Sequence, residues 1–112
     1  LEFNNRGGVG SISVTANIAP KLCSDFQKFS KINDERSKQE TLKINKILEP
    51  VHQSMFIESN PSPVKYAAKL LNLCDDAVRL PLVKVTDTTK LKISEALKSA
   101  KLIKWLKKPI LV

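Results

Sequence analysis

The sequence predicts a mainly α-helical chain with one short β-strand, and three observations carry that reading. Apolar residues recur at helical spacing along most of the chain. A single stretch, Ser11 to Thr15, alternates apolar and polar residues as a strand does. A proline-punctuated corner, Asn60-Pro61-Ser62-Pro63, separates two of the helical patterns.

Gly7, Gly8 and Gly10 make a loop in which the backbone can take positive φ or approach other backbone closely. A phosphate-cradling G-x-G-x-x-G turn follows a strand and opens a helix. Here the glycines precede the strand, so that motif is excluded. In the strand, Ile12 and Val14 alternate with Ser11, Ser13 and Thr15. Pro20 suits a helix's first turn, and Leu22, Cys23, Phe26 and Phe29 form the buried face behind it. Ser30 to Asp34 breaks the pattern. Asn33 or Asp34 caps the next helix, with Glu35 beside its positive end. That helix runs to about Met55 and buries Leu42, Ile44, Ile47, Leu48, Val51 and Met55. Pro50 falls inside this stripe, where it kinks a helix or costs about 3 kcal/mol.

The corner sets the next boundaries. Proline bars helical backbone for the residue before it, which pushes Asn60 and Ser62 extended. Proline is tolerated in a helix's first turn, where its missing N–H would lack a partner anyway. One helix therefore stops near Met55–Phe56 and another runs from Asn60 to Leu73, with Val64, Ala67, Ala68 and Leu71 as its apolar stripe. Asp75 and Asp76 cap a short turn into Ala77–Leu80, which Pro81 ends. Asp87 caps the last helix, and Leu91, Ile93, Leu97 and Ala100 face inward.

A chain of 112 residues is one domain at most. Its 19 Lys+Arg against 11 Asp+Glu give a formal charge of +8. Such a balance suits nucleic acid or anionic membrane, yet the lysines are spread along helices and interrupted by Asp25, Glu35, Glu49, Asp75, Asp76 and Glu95. Aromatic residues are few, so no stacking platform for single strands is visible. Cys23 and Cys74 lie in no metal spacing and read as reduced, small apolar fillers. No apolar run is long enough to span a bilayer. Leu1 to Arg6 lacks the basic-then-apolar order of a signal peptide, and the chain opens without Met. It reads as a fragment.

Two separated runs resemble one family. Gly7-Gly8-Val9-Gly10-Ser11-Ile12-Ser13-Val14-Thr15-Ala16-Asn17 is similar to the last barrel strand of the 4-hydroxy-tetrahydrodipicolinate synthase (dihydrodipicolinate synthase) family, G-G-x-G-x-I-S-V-T-A-N. Phe56 to Ala67, followed by Arg79-Leu80-Pro81-Leu82, resembles its F-x-E-x-N-P-x-P-V-K-x-A corner and R-L-P-L run. Pro50-Val51-His52 also matches a family pattern, which implies a native proline there. The resemblance implies the last βα unit of a TIM (β/α)8 barrel over residues 1–31 and the family's C-terminal helical domain over 32–103. Leu1 to Arg6 would then end the helix before the strand. A whole barrel needs about 250 residues, so the match is to part of a family member. The tail, 104–112, departs from the family. It is basic and apolar with Trp105, and reads either as a surface contact with membrane or as a non-native extension.

The resemblance implies a condensation of pyruvate with aspartate semialdehyde in lysine (diaminopimelate) biosynthesis, through a Schiff base on a buried lysine. It implies no metal or other cofactor, a cytoplasmic homotetramer, and no nucleic-acid or membrane partner. The family's Y-N-x-P and G-T-T-G-E motifs do not occur in this chain, nor does its Schiff-base lysine, so no catalytic residue is assigned. Tyr66 matches a non-catalytic aromatic position, and Lys65 is the V-K lysine of the corner. Two positions carry over: Ile12, whose backbone carbonyl faces bound pyruvate, and Asn60, at the active-site entrance. His52 has no nucleophile or carboxylate at a triad spacing and reads as a packed or surface histidine. Asp75-Asp76 reads as caps rather than a catalytic dyad.

A strand taken from a closed barrel has both edges unpaired. The helical part is therefore expected to hold its structure while the Gly7–Phe29 unit is loose or self-associates. The reading from a different class is a small basic helical protein that binds nucleic acid or anionic lipid. A third is a remnant without function.

Overall fold

The computed structural model describes residues 1–103, so the expectation for the tail lies outside the described residues. Among the described residues five α-helices follow one another: α1 (Glu2–Asn5), α2 (Pro20–Ser30), α3 (Glu35–Ser54), α4 (Ser62–Leu70) and α5 (Asp87–Ser99), with a 3-10 turn at Thr15–Asn17 before α2. The molecule measures 45 × 33 × 21 Å. A helix with its side chains is about 10–12 Å across, so the short dimension holds two helical layers.

Helix α3 is the shared element. Its middle offers Ile44 and Leu48 to Phe26 of α2 and to Ala19. Its C-terminal end offers Val51, and with it the capping Met55, to Tyr66 and Ala67 of α4 and to Ile93 and Leu97 of α5. Leu22, Cys23 and Phe29 border the first cluster, as the α2 pattern predicts. Asp34 caps α3 by accepting the Ser37 amide at 2.7 Å, and Pro20 opens α2. The helix runs through Pro50, which is exposed, so water can take the carbonyl that proline leaves unpaired.

Several expectations are corrected. The expected strand at Ser11–Thr15 is not formed, and no strand occurs among the described residues. A strand exists through ladder hydrogen bonds, and this fold places no neighbour beside the segment. Thr15 instead starts the 3-10 turn. Ile12 is 108% exposed, so nothing covers it. Upstream, Gly7 takes φ +97°, and a Cβ on Gly8 would stand 2.2 Å from the Phe3 ring.

Ser62 is helical rather than extended: Pro61 caps α4 and Ser62 opens it. The last helix is capped by Thr86, whose hydroxyl accepts the Thr89 amide, and Asp87 is its first residue. Leu42 and Leu91 are exposed, while Thr41, Thr89 and Ala96 take inward positions. Cys74 is exposed and fills no core. No helical turn forms at 77–80.

Helices α4 and α5 end alike. Asn72 donates to the Lys69 carbonyl and Leu73 to that of Ala68, with Asn72 at φ 59°. Lys101 donates to the Lys98 carbonyl and Leu102 to that of Leu97, with Lys101 at φ 58°. Both are Schellman endings, in which one residue must be left-handed. Asparagine tolerates that conformation, whereas a lysine Cβ crowds its own carbonyl. Lys101→Gly should therefore raise the free energy of unfolding by about 1 kcal/mol, read as a higher urea midpoint at unchanged slope. An unchanged midpoint would contradict this account of the cap.

Candidate functional site

Ile12 and Asn60 sit on different supports. Ile12 belongs to the irregular segment before the 3-10 turn. That segment is anchored at its end, where Thr15, 1% exposed, makes a 2.6 Å hydrogen bond through Oγ1 to His52 Nδ1 on α3. Ser13 Oγ accepts the Ala16 amide and tightens the same turn. Asn60 is exposed on the corner after α3. The corner is held on both sides of Asn60. Glu58 Oε2 accepts the Thr86 amide at 3.0 Å, and Ser62 Oγ donates to the Val83 carbonyl at 2.8 Å. Hydrogen bonds from Thr89 and Thr86 hold the Glu58 carboxyl below its ordinary pKa against slight desolvation.

A cavity of about 450 Å³ opens between the N-terminal segment, α2 and α3, lined among others by Ser13, Cys23, Asn45 and His52. Neither Ile12 nor Asn60 lines it. Burial pushes the Cys23 thiol up, against a hydrogen bond with Ser13. The thiol is therefore protonated at neutral pH and is not poised as a nucleophile. Among the described residues, no group of three or more His, Cys, Asp or Glu could hold a metal ion. No helix of the described residues is long and apolar enough to cross a membrane.

The remaining candidates have structural partners. Lys65 Nζ donates to the Ala77 carbonyl. Tyr66 is 1% exposed, and its hydroxyl is pushed up first by burial and then by the charges of Asp76 and Asp87. Asp76 is the surprise. It is 3% exposed and lies between Lys69 Nζ at 3.1 Å and Lys84 Nζ at 3.3 Å. Asp75 accepts the Asp76 amide through its own side chain, so only that residue behaves as a local cap. Nothing in the spacing of residues 69, 76 and 84 announces this cluster, because none of them shares a helix face with another.

Comparison with known proteins identifies the family. The profile of the dihydrodipicolinate synthetase family matches residues 1–100, and this chain belongs to that family. It is 77% identical over 103 residues to the 4-hydroxy-tetrahydrodipicolinate synthase of Pelagibacter ubique (strain HTCC1062), covering 92% of this chain and 35% of that protein. It is 48% identical over 103 residues to the synthase of Parvibaculum lavamentivorans, covering 92% of this chain and 34% of the relative. Among solved structures, the chloride-inhibited dihydrodipicolinate synthase from Acinetobacter baumannii complexed with pyruvate superposes with TM-score 0.78 at 39% identity, over 87% of this chain and 32% of that one. A monomeric dihydrodipicolinate synthase variant superposes with TM-score 0.77 at 30% identity, over 91% of this chain and 33% of its own length. The chain thus spans about a third of the length of the curated relatives it matches.

Desolvation lowers the His52 pKa, the N-terminal ammonium adds to the shift, and Glu49 opposes it. In the neutral ring with its proton on Nε2, Nδ1 accepts from the Thr15 hydroxyl. As pH falls below the ordinary histidine pKa, the unfolded chain takes a proton that the folded chain resists. Stability therefore drops across that window and is regained above it. His52→Gln should flatten this dependence in urea titrations between mildly acidic and neutral pH. A slope that survives the substitution would place its origin elsewhere.

Proposed function

We propose that this chain is the C-terminal third of a 4-hydroxy-tetrahydrodipicolinate synthase and has no activity by itself. In this reading, residues 1–31 supply the last βα unit of a (β/α)8 barrel, with 11–15 becoming a strand once neighbours flank it. Residues 32–103 supply the C-terminal helical domain. The reaction joins pyruvate to a lysine as a Schiff base with loss of water, and the derived enamine adds to aspartate semialdehyde. A lysine does this only when neutral, which takes a desolvated or electropositive pocket. Lys65 is not that residue, because its Nζ lies at an exposed contact with the Ala77 carbonyl and not in a desolvated pocket. Tyr66 is not the proton relay, because it is sealed in the core.

This chain's own part in the chemistry is positional. Ile12 presents its backbone carbonyl toward pyruvate and the lysine, and Asn60 stands at the mouth of the site. The complete enzyme works in the cytoplasm as a homotetramer and needs no cofactor. The observation that carries the reading is the 77% identity to the Pelagibacter ubique synthase over 92% of this chain.

Borohydride trapping tests it. The chain is incubated with pyruvate and sodium borohydride, alone and after co-expression with the remaining two-thirds of the Pelagibacter ubique relative. Intact mass should show no pyruvyl adduct on this chain and one adduct on the other. A stoichiometric adduct on a lysine of this chain would overturn the reading.

A further inference from the structure

The connection from α4 to α5, residues 71–86, contains no helix or strand. Connections longer than about 12–15 residues without regular structure are uncommon in compact domains and are usually functional or disordered. This one is tied down at defined points. Near its start, Asp76 is gripped by Lys69, which α4 carries. Near its end, Lys84 reaches back to the same carboxylate oxygen. Around Lys84, Val83 accepts from Ser62, Val85 is buried in the main core and Thr86 donates to Glu58.

We propose that Asp76 is a positioning residue that holds Asn60 in place through this connection. Glu58 and Ser62 stand two residues either side of Asn60, and both take their long-range bonds from the 83–86 segment. That segment is joined to α4 through Asp76. A carboxylate taken this far out of water must be paired, and here its partners come from two different parts of the chain. An apolar side chain could fill the same space at equal or better stability. It could not fix where Lys84, and with it the 83–86 segment, stands relative to α4. The hydrogen bonds from Lys69 and Lys84 hold the Asp76 carboxyl below its ordinary pKa despite its burial, so it stays charged at neutral pH.

The inference rests on the proposed role of Asn60 for its consequence, but the coupling itself is read without catalysis. Amide hydrogen exchange is followed by NMR in the 112-residue chain and in Asp76→Asn. The Thr86 amide, bonded to Glu58, and the Ser62 amide, bonded to the Ser59 carbonyl, should exchange about tenfold faster or more, while the middle of α3 keeps its rate. Lys84→Gln leaves Asp76 paired with Lys69 and serves if Asp76→Asn does not fold. It should loosen the same two amides, and Lys43→Gln, on the exposed face of α3, should not. Adding Lys69→Gln to Asp76→Asn should cost less than the sum of the two, because both act on one interaction. Exchange at Thr86 and Ser62 that stays at the parent rate in Asp76→Asn or Lys84→Gln overturns the proposal. In the co-expressed enzyme, Lys84→Gln should raise KM severalfold with little change in kcat. An unmoved KM beside a loosened corner would overturn the role of Asn60 and not the coupling.

Discussion

The rest of the molecule depends on one buried seam, where Val51 of α3 and Met55 at its C-cap meet Tyr66 of α4 and Ile93 and Leu97 of α5. Each of these side chains is less than 2% exposed. Burying a large apolar side chain is worth about 1.5–3 kcal/mol, and no other part of the described residues concentrates so many. The seam fixes the rotation of α3. That rotation in turn decides that Ile44 and Leu48 face α2, which brings residues 1–30 onto the same scaffold. The Thr15–His52 bond exists because His52 follows Val51 on the neighbouring face of that helix.

The seam also explains the division of labour along the chain. The two apolar clusters from α2 to α5 are covered within two helical layers. The segment before Thr15 has no such cover. Its apolar side chains Val9 and Ile12 are 83% and 108% exposed, and it pairs with no strand among the described residues. Exposed backbone with unpaired N–H and C=O groups is open to pairing with a further chain segment. The chain folds around its own helical seam and leaves this one irregular segment bare.

Much of the helical fold was legible in the residues. Pro20, Asp34 and the stripe through Ile44, Leu48, Val51 and Met55 state their roles locally, because capping and period depend on neighbours a few positions away. The errors fall where local rules tie or where tertiary contacts decide. Thr86 and Asp87 are both competent caps, and the Thr89 amide chose Thr86. Leu42 and Leu91 fit helical stripes but lie on faces that meet no partner. Ser62 precedes a proline, yet its place at the start of α4 is fixed by Val83, far along the chain. The alternation at Ser11–Thr15 fits a strand, but a ladder needs a neighbour and none stands beside it among the described residues. Of the candidate site, Ile12 and Asn60 were visible only through family resemblance, since an exposed isoleucine and a turn asparagine carry no signal of their own. Asp76 looked like a cap because its two lysines are distant in sequence.

Residue-resolved amide exchange on the isolated chain, repeated with the remaining two-thirds of a family-length synthase added, tests the central claim most directly. Alone, residues 8–14 should exchange at nearly free-peptide rates while the middle of α3 and α5 is protected. With the complement bound, 8–14 should become protected to the level of the helices. Protection of 8–14 equal to that of α3 in the isolated chain, or none gained on complementation, would contradict the account.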